Sequence, residues 1–382
     1  MPDHKKPAIS SGIQKLADYR LARGLTQSDL GRRIGVSRQF LNQMEAGRVL
    51  PNVAVALRLA SALERTVEEL FGAAAVAADG TVPVTLAVTG LAPGTRLKIG
   101  RVGRVWMAHP ADTAGTLAAG FTAADAVLES PSRARLVVAP AVASANLLLA
   151  GCDPALALLQ PATDHAEAGR CHWIDCSSGQ ALDLLTAGQV HVAGIHYAGT
   201  EGSGNLQELR RRDPQGKWSL FRFSRWAQGW LVQHGRGRQF SGISSLATGN
   251  WTLANRSEST AARRWLDREL AEAHLNPARI PGYHIPIASA ADGAQAVASG
   301  RADVTVGPQA LALAHGLDFI PAEAVDFDLA ATTIWWRSDA GRKLKNRIHD
   351  LANTGVLATL PGYAPTRTGT ERPRKRAPRR AS

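Results

Sequence analysis

Residues Gly24 to Gly47, reading GLTQSDLGRRIGVSRQFLNQMEAG, leave the chain few ways to fold. Thr26 stands where an N-cap belongs, and Asp29 follows three residues later, as in a capping box. Leu30 and Ile34 form an inward stripe at a spacing of four. Gly35 is free to take the left-handed conformation that ends a helix in a sharp turn. Val36 is the apolar plug between two helices, Ser37 caps the second, and Phe40, Leu41 and Met44 give that helix its buried side. Arg38, Gln39, Asn42 and Gln43 remain outward, and such donor-rich side chains read base edges in a major groove. The spacing predicts a helix-turn-helix.

The pieces LTQSDLGRRIGVS and QFLNQMEAGR, with Pro51 after them, resemble the phage-repressor (XRE, or Cro/repressor) family of DNA-binding domains over roughly residues 10 to 72. One departure is Gly31, where the family usually carries Ala; Gly permits the helix–helix approach but costs about 1 kcal/mol of helix propensity. The resemblance implies that Gln27 bonds a DNA phosphate, that Arg38, Gln39, Asn42 and Gln43 face bases, and that Arg48 reaches the backbone. It also implies a dimer on paired half-sites about one helical turn apart. Residues 1–10 read as a flexible arm and 11–72 as a five-helix, all-α domain. Its first helix runs from Gly12 to Arg23 and buries Leu16 with Tyr19 or Leu21. Helices over Ala54 to Leu63 and Val67 to Phe71 close it, with Leu57, Ala60, Leu63, Leu70 and Phe71 as core.

The charge of +12 is uneven: residues 1–72 carry +4, and the last seventeen residues, Thr366 to Ser382, carry seven Arg and Lys against one Glu. Basic ends on a nearly neutral body point to nucleic acid touched by the ends and other work in the middle. The N-terminal MPDHKKPAIS lacks an apolar signal core, no run of about 18 apolar residues appears, and Cys152, Cys171 and Cys176 are sparse and odd in number. A cytoplasmic protein with no membrane partner is expected.

Residues 73–81 form a small-residue linker, and 82–133 a small β-rich segment in which Val82 to Val88 and Thr95 to Val105 alternate apolar and polar residues. From 134 to 360 strands and helices alternate, the pattern of an α/β domain with a largely parallel sheet. ANLLLAG leads into CDPALALLQ, CHWID into CSSGQALDLLTAG, and QVHVAGIHY ends at His196. WTLANR precedes what reads as the longest amphipathic helix; LDFIPA and LAATTIWW read as further strands, and Gly341 to Leu351 as a closing helix.

The order of AGCDPALALL, SSGQALDLLTAGQVHVAGIH, Asn205, ANR with Arg263, IPGY and ASGRADVTVG with HGLDF resembles the periplasmic-binding-protein fold. More narrowly it is similar to cytoplasmic molybdate-binding-like domains attached to helix-turn-helix segments. The fold class expected is thus multidomain, an all-α repressor-like unit followed by a two-lobed α/β binding-protein-like unit. In that fold, strand-to-helix turns aim helix N-termini into a ligand cleft, where free N–H groups and the macrodipole favour anions. Ser177, Ser178 and Gly179 open one such helix, and Ser257, Ser259 and Thr260 another. Arg256 and Arg263 add charge, and His196 and Asn205 complete the expected cleft. Any one of these hydroxyls can equally be a helix cap and nothing more. Two departures bear on molybdate: Ser259, Thr260, Ala261 and Ala262 replace a glycine-bearing run before Arg263, and Ala290 stands where the family tends to have His.

Cys171, His172, Asp175 and Cys176 do not have CxxC spacing, and alternate strand residues face opposite ways, so no metal site is expected. His109 and His284 lie beside Gly or Pro turns and read as surface residues. No P-loop, HExxH or GxSxG appears, so neither an enzyme nor a cofactor is expected beyond an oxyanion effector. Residues 361–382 read as a disordered basic tail that binds phosphates non-specifically. The expected protein is a regulator that binds operator DNA as a homodimer or higher oligomer and senses a small ligand, an oxyanion such as molybdate or tungstate. The competing readings are a cytosolic oxyanion store and a regulator whose α/β domain is a ligand-free oligomerisation scaffold.

Overall fold

A computed structural model describes residues 14–45, 49, 51–65, 67, 70, 80–113, 121–160, 169–197, 199 and 203–372. The chain divides into two compact units, Met1–Val82 and Pro83–Ser382.

The first unit contains α1 (Gln14–Ala22), α2 (Gln27–Ile34), α3 (Arg38–Glu45) and α4 (Val53–Leu63). Its start and stop signals act as the sequence predicts. The Thr26 hydroxyl accepts the Asp29 N–H while the Asp29 carboxylate accepts the Thr26 N–H, and Gly35 ends α2 at φ 70°. The Ser37 hydroxyl accepts the Phe40 N–H at 3.1 Å. A Cβ on Gly31 would lie 2.9 Å from the Val36 carbonyl oxygen. The turn therefore gains from glycine what the helix loses in propensity. Leu16, Leu30, Ile34, Leu41, Met44, Leu59 and Leu63 close the core. Of the pair Tyr19 or Leu21, it is Tyr19 that packs on this core while Leu21 is exposed, and Leu57, expected in the core, is exposed instead. On α4 the buried stripe is Val55, Ala56, Leu59, Ala60 and Leu63, which turns Leu57 outward. Phe71, Arg48 and the 1–10 arm lie outside the described residues.

The second unit holds two sheets. The first is six-stranded, in the order β1 (Thr81–Pro83), β6 (Arg133–Leu136), β5 (Ala126–Ser130), β3 (Arg96–Val102), β4 (Val105–Pro110) and β2 (Thr85–Leu86). Alternation in Thr95 to Val105 is the visible trace of this sheet, which continues past residue 133. His109 is not a surface residue: it is buried, with Nε2 at 3.0 Å from the Gln189 carbonyl.

The second sheet is built on two fifteen-residue strands, β10 (Trp218–Val232) and β14 (Asp318–Thr332), paired antiparallel along their whole length. Near one end β14 pairs β9 (Val192–Ile195), followed by parallel β7 (Leu147–Gly151) and β8 (Cys171–Asp175). Near the other end β10 pairs β13 (Val304–Pro308), followed by parallel β11 (Leu253–Arg256) and β12 (Pro286–Ile287). Two parallel lobes thus hang from one antiparallel ribbon, and the sheet is mixed rather than largely parallel. The sequence did not reveal β10, because WSLFRFSRWAQGWLV is covered almost throughout and shows no alternation. LDFIPA and the start of LAATTIWW are parts of the single β14. Thr333–Arg337 is helical because the Thr332 hydroxyl caps it by accepting the Trp335 N–H.

Helices α5 (Ser178–Thr186), α6 (Ser203–Arg212), α7 (Ala261–Glu272), α8 (Ala290–Ala298) and α9 (Asp339–Asn353) flank the lobes. The longest is α9 rather than α7. The tail does not begin at 361. β15 (Tyr363–Ala364) and β16 (Glu371–Arg372) pair with β10, and the Arg372 guanidinium meets Asp326 at 2.8 Å and Asp328 at 2.5 Å. Charge that looked like solvated tail is in part a partner for buried carboxylates; residues 373–382 lie outside the described residues.

The ribbon tolerates little added volume. At its second register shift a Cβ on Gly229 would lie 2.2 Å from the Ile320 carbonyl oxygen. Gly229→Ala is expected to destabilise the second unit by about 1–3 kcal/mol or more. Urea denaturation followed by tryptophan fluorescence checks this, and a midpoint equal to wild type contradicts it.

Candidate ligand cleft and DNA-reading helix

On the first unit, Arg38, Gln39 and Asn42 are exposed on α3 and Gln43 is half-buried. The helix is held at its far end by Arg20, whose Nε donates to Glu45 at 2.6 Å and whose Nη1 donates to the Leu25 carbonyl. Gln27 donates its amide to the same Glu45 at 2.7 Å, so contact with a phosphate would require that bond to be exchanged. Polar side chains stand outward on a helix whose apolar side is fully engaged, which leaves them free for a groove.

In the second unit, the carboxyl ends of the parallel strands of both lobes converge on one enclosed cleft of about 30 Å³. Crevices at such strand ends are where open α/β sheets bind ligands. From the first lobe come Cys152 after β7, Ser177 and Ser178 at the start of α5, and His196 after β9. From the second come Arg256 at the end of β11, Thr260 at the start of α7, and Pro308 ending β13. Trp226 and Gln228 of β10 form the floor. The lobes meet closely here: a Cβ on Gly179 would sit 3.3 Å from the Ser259 carbonyl oxygen.

Five expected residues therefore line the cleft: Ser177, Ser178, His196, Arg256 and Thr260. Gly179 follows Ser178 in α5 and packs against the Ser259 carbonyl rather than lining the cleft. Four others do not line it. Asn205 is buried beneath, accepting the Tyr197 N–H and donating to the Asp326 carbonyl and the Asp328 carboxylate. Arg263 donates to Asp267 and to the Arg256 carbonyl and stacks on Tyr283, which makes it a support for Arg256. Ser257 and Ser259 bond each other toward solvent. These four satisfy local backbone or neighbouring side chains, the ordinary fate of polar residues near helix starts. Cys152, Trp226 and Gln228 escaped the sequence reading. Cys152 sits at a strand-to-helix step like that of Ser177, so the same signal would have found it; β10 gave no signal.

Arg256 decides the electrostatics. It is 8% exposed, its Nε has no hydrogen-bond partner, and no carboxylate pairs with it among the described residues. Burial pulls its pKa below the ordinary guanidinium range, with Cys152, Asp175 and Asp292 opposing from longer range. His196 is pinned by its backbone N–H, which donates to the Ser178 hydroxyl at 3.1 Å, and its ring packs edge-on to Trp226 at 5.3 Å. Its Nε2, like Trp226 Nε1, is buried without a partner among the described residues. Burial first, and then Arg256, lower the His196 pKa to about 4. Burial pushes the Cys152 thiol up to about 12, so it is neither an anion nor an activated nucleophile. The cleft presents a buried cation, neutral donors and two helix starts.

Residues 16–70 match a helix-turn-helix family model, and residues 161–349 match that of the PBP superfamily domain. An uncharacterized HTH-type transcriptional regulator of Methanothermobacter thermautotrophicus is 40% identical over 57 residues, 15% of this chain and 83% of the relative. The uncharacterized protein YvgK of Bacillus subtilis is 25% identical over 230 residues, 59% of this chain and 72% of that protein. The regulatory domain of Synechocystis PCC6803 CcmR, solved in complex with 2-PG, aligns at a TM-score of 0.40 and 12% identity, covering 54% of this chain and 96% of that one. The chain belongs to the helix-turn-helix transcriptional regulators. Behind its DNA-binding unit it carries an α/β domain of the periplasmic-binding-protein kind. Among the described residues no helix is long and apolar enough to cross a membrane, and no three His, Cys, Asp or Glu residues cluster as a metal site.

The His196 shift has a signed consequence. An unfolded histidine titrates near 6.5, so between about pH 6.5 and 4 the unfolded chain holds the extra proton and stability falls as pH falls. Full titration costs about 3 kcal/mol. His196→Asn is expected to flatten this part of the acid-stability profile measured by urea midpoints from pH 7 to pH 4. A variant profile parallel to wild type contradicts the assignment.

Proposed function

We propose that this regulator senses a small oxyanion, of the tetrahedral molybdate or tungstate class, in the cleft at Arg256, and that the bound anion alters its operator binding as a homodimer. The observation that carries the reading is Arg256 itself. An isolated buried charge is costly, and in proteins such charges are paired or hydrogen-bonded. Here the second charge is the ligand's to supply. Ser177 and Thr260 cap α5 and α7, their hydroxyls accepting the Gln180 and Arg263 N–H groups, and the Thr260 hydroxyl donates to the Ser257 carbonyl. The helix starts they hold in place, with Ser178, aim first-turn N–H groups of the kind that receive anions. The cleft volume limits the ligand's size. About 30 Å³ is two or three times the room one water needs, which suits a compact inorganic anion better than an extended organic effector.

The departures noted in the sequence narrow the choice of anion without removing the site. Gly179 allows the close approach of α5 to the Ser259 carbonyl on one side, whereas Ala261 and Ala262 line the cleft on the other. A catalytic reading has little support. Ser178 and His196 lie 3.4 Å apart, but with a pKa of about 4 the imidazole is a poor base near neutrality. An oxyanion store would use the same cleft without coupling it to DNA, and a ligand-free scaffold would leave Arg256 unmatched.

On the DNA side, Arg38, Gln39, Asn42 and Gln43 read bases, and Gln27 and Arg48 hold the backbone. Base-reading variants should lose site preference, and phosphate-binding variants should lose affinity evenly across sequences. The basic residues beyond Arg372 add salt-dependent affinity for phosphates.

Two variants separate the functions. Arg38→Ala with Asn42→Ala is expected to abolish sequence-selective binding in a random-site selection while leaving the anion-induced thermal shift intact. Ser178→Ala with Thr260→Ala is expected to do the reverse. In wild type, an anion at 100 times its dissociation constant stabilises by about 2.7 kcal/mol. Molybdate, tungstate, sulfate and phosphate, each screened by thermal shift, provide the probes. If none shifts the wild-type transition, the anion-sensing reading fails.

A further inference from the structure

A second cavity, of about 430 Å³, lies apart from the Arg256 cleft, between the β2–β4 side of the six-stranded sheet and the flank of α5. Its size falls within the range of about 300–1,000 Å³ common to small-molecule sites. Val88, Pro110, Ile174 and Leu184 make most of its wall apolar. Among the ionisable groups that interrupt that wall are Lys98 on β3 and Asp175 at the end of β8.

Both groups are incompletely matched. Lys98 is 4% exposed, and its Nζ donates to the Trp173 carbonyl at 2.8 Å, a neutral acceptor that occupies one of three N–H donors. The Asp175 carboxylate, exposed at the end of β8, accepts no hydrogen bond from the described residues. Neither group forms an ion pair, with the other or with any described residue. Burial pulls the ammonium pKa down against the pull of Asp112 and Asp175. Three other polar groups on the wall are engaged. His109 faces the Gln189 carbonyl, Gln180 caps α5, and Asp183 pairs with Arg212.

We propose that this cavity is a second small-molecule site, built for a zwitterion with an apolar body. The α-amino acids with aliphatic, thioether or phenyl side chains are the matching class. The carboxylate meets Lys98, the ammonium meets Asp175, and the side chain lies against Ile174 and Leu184. A plain carboxylic acid would satisfy Lys98 but bring a like charge to Asp175; a plain amine would do the opposite. Only a ligand carrying both charges meets both groups: the buried Lys98 ammonium is costly without a counter-charge, and Asp175 stands exposed beside it, open to an ammonium. The site also touches the step that builds the first cleft, since Asp175 stands two residues before Ser177. An occupant would therefore bear on the α5 start without entering the Arg256 cleft.

Calorimetric titration of the full chain with leucine, methionine and phenylalanine tests this. At least one is expected to bind, while 4-methylpentanoate and 3-methylbutylamine, which each keep one charge of leucine, bind at least about tenfold more weakly. Lys98→Met and Asp175→Asn should each weaken binding of that amino acid by at least about tenfold. Leu184→Trp, which fills the cavity and keeps both charges, should abolish it, with unliganded melting curves showing that each variant folds. Arg256→Met should leave the affinity within about twofold, a change of only about 0.4 kcal/mol. The proposal is overturned if no amino acid binds wild type or if the single-charge analogues bind as well as leucine. Binding that survives Leu184→Trp, or is lost in Arg256→Met, overturns it equally, the last result placing the ligand in the first cleft.

Discussion

The antiparallel pairing of β10 with β14 is the constraint on which the second unit depends. Each strand contributes one end of its ladder to a different lobe, so the cleft exists only because both lobes share this ribbon. Buried charge pins the pairing in register. Arg222 on β10 donates to Asp326 and Asp328 on β14, and Arg372 adds a second guanidinium from the C-terminal segment. Such networks are weak evidence for stability, because desolvation offsets much of the Coulomb gain. They are costly to break, which is why a segment rich in Arg, Pro and Gly is drawn onto the sheet at residue 372.

The same accounting separates Arg222 from Arg256. Both are buried guanidiniums within the second unit, but one has carboxylates at hydrogen-bond distance and the other has none among the described residues. A fold that matches one buried arginine with carboxylates and leaves the next without one, at the meeting point of two helix starts, has the feature on which the proposed anion site rests. Lys98, buried on a single neutral acceptor, repeats the contrast in the second cavity.

How much was legible beforehand follows from how local each signal is. Thr26 with Asp29, Gly35 and Ser37 act within a few residues of themselves, and all of them do in the fold what their spacing predicts. Ser177 and Thr260 were found because a strand followed by a hydroxyl and a helix is likewise a local pattern. Leu57 was misplaced because α4 has apolar residues on more than one side, and only the partner helices decide which side is buried. Asn205, Arg263, Ser257 and Ser259 have the right chemistry for the cleft but are engaged by near neighbours. β10 left no trace because a strand covered on both faces carries no alternation, and the pairing of Arg372 with Asp326 spans 46 residues that no local pattern connects.

A sensor differs from a store in one thermodynamic respect: the ligand must have different affinities for the DNA-competent and DNA-incompetent states, and the coupling must be reciprocal. The most direct measurement takes the anion that stabilises the wild-type chain and determines its affinity twice, with and without saturating selected operator. Operator affinity is then measured with and without saturating anion. The account predicts one common factor in both directions, and no factor at all in Arg256→Met. Anion binding that leaves operator affinity unchanged would contradict it and leave the cleft a store.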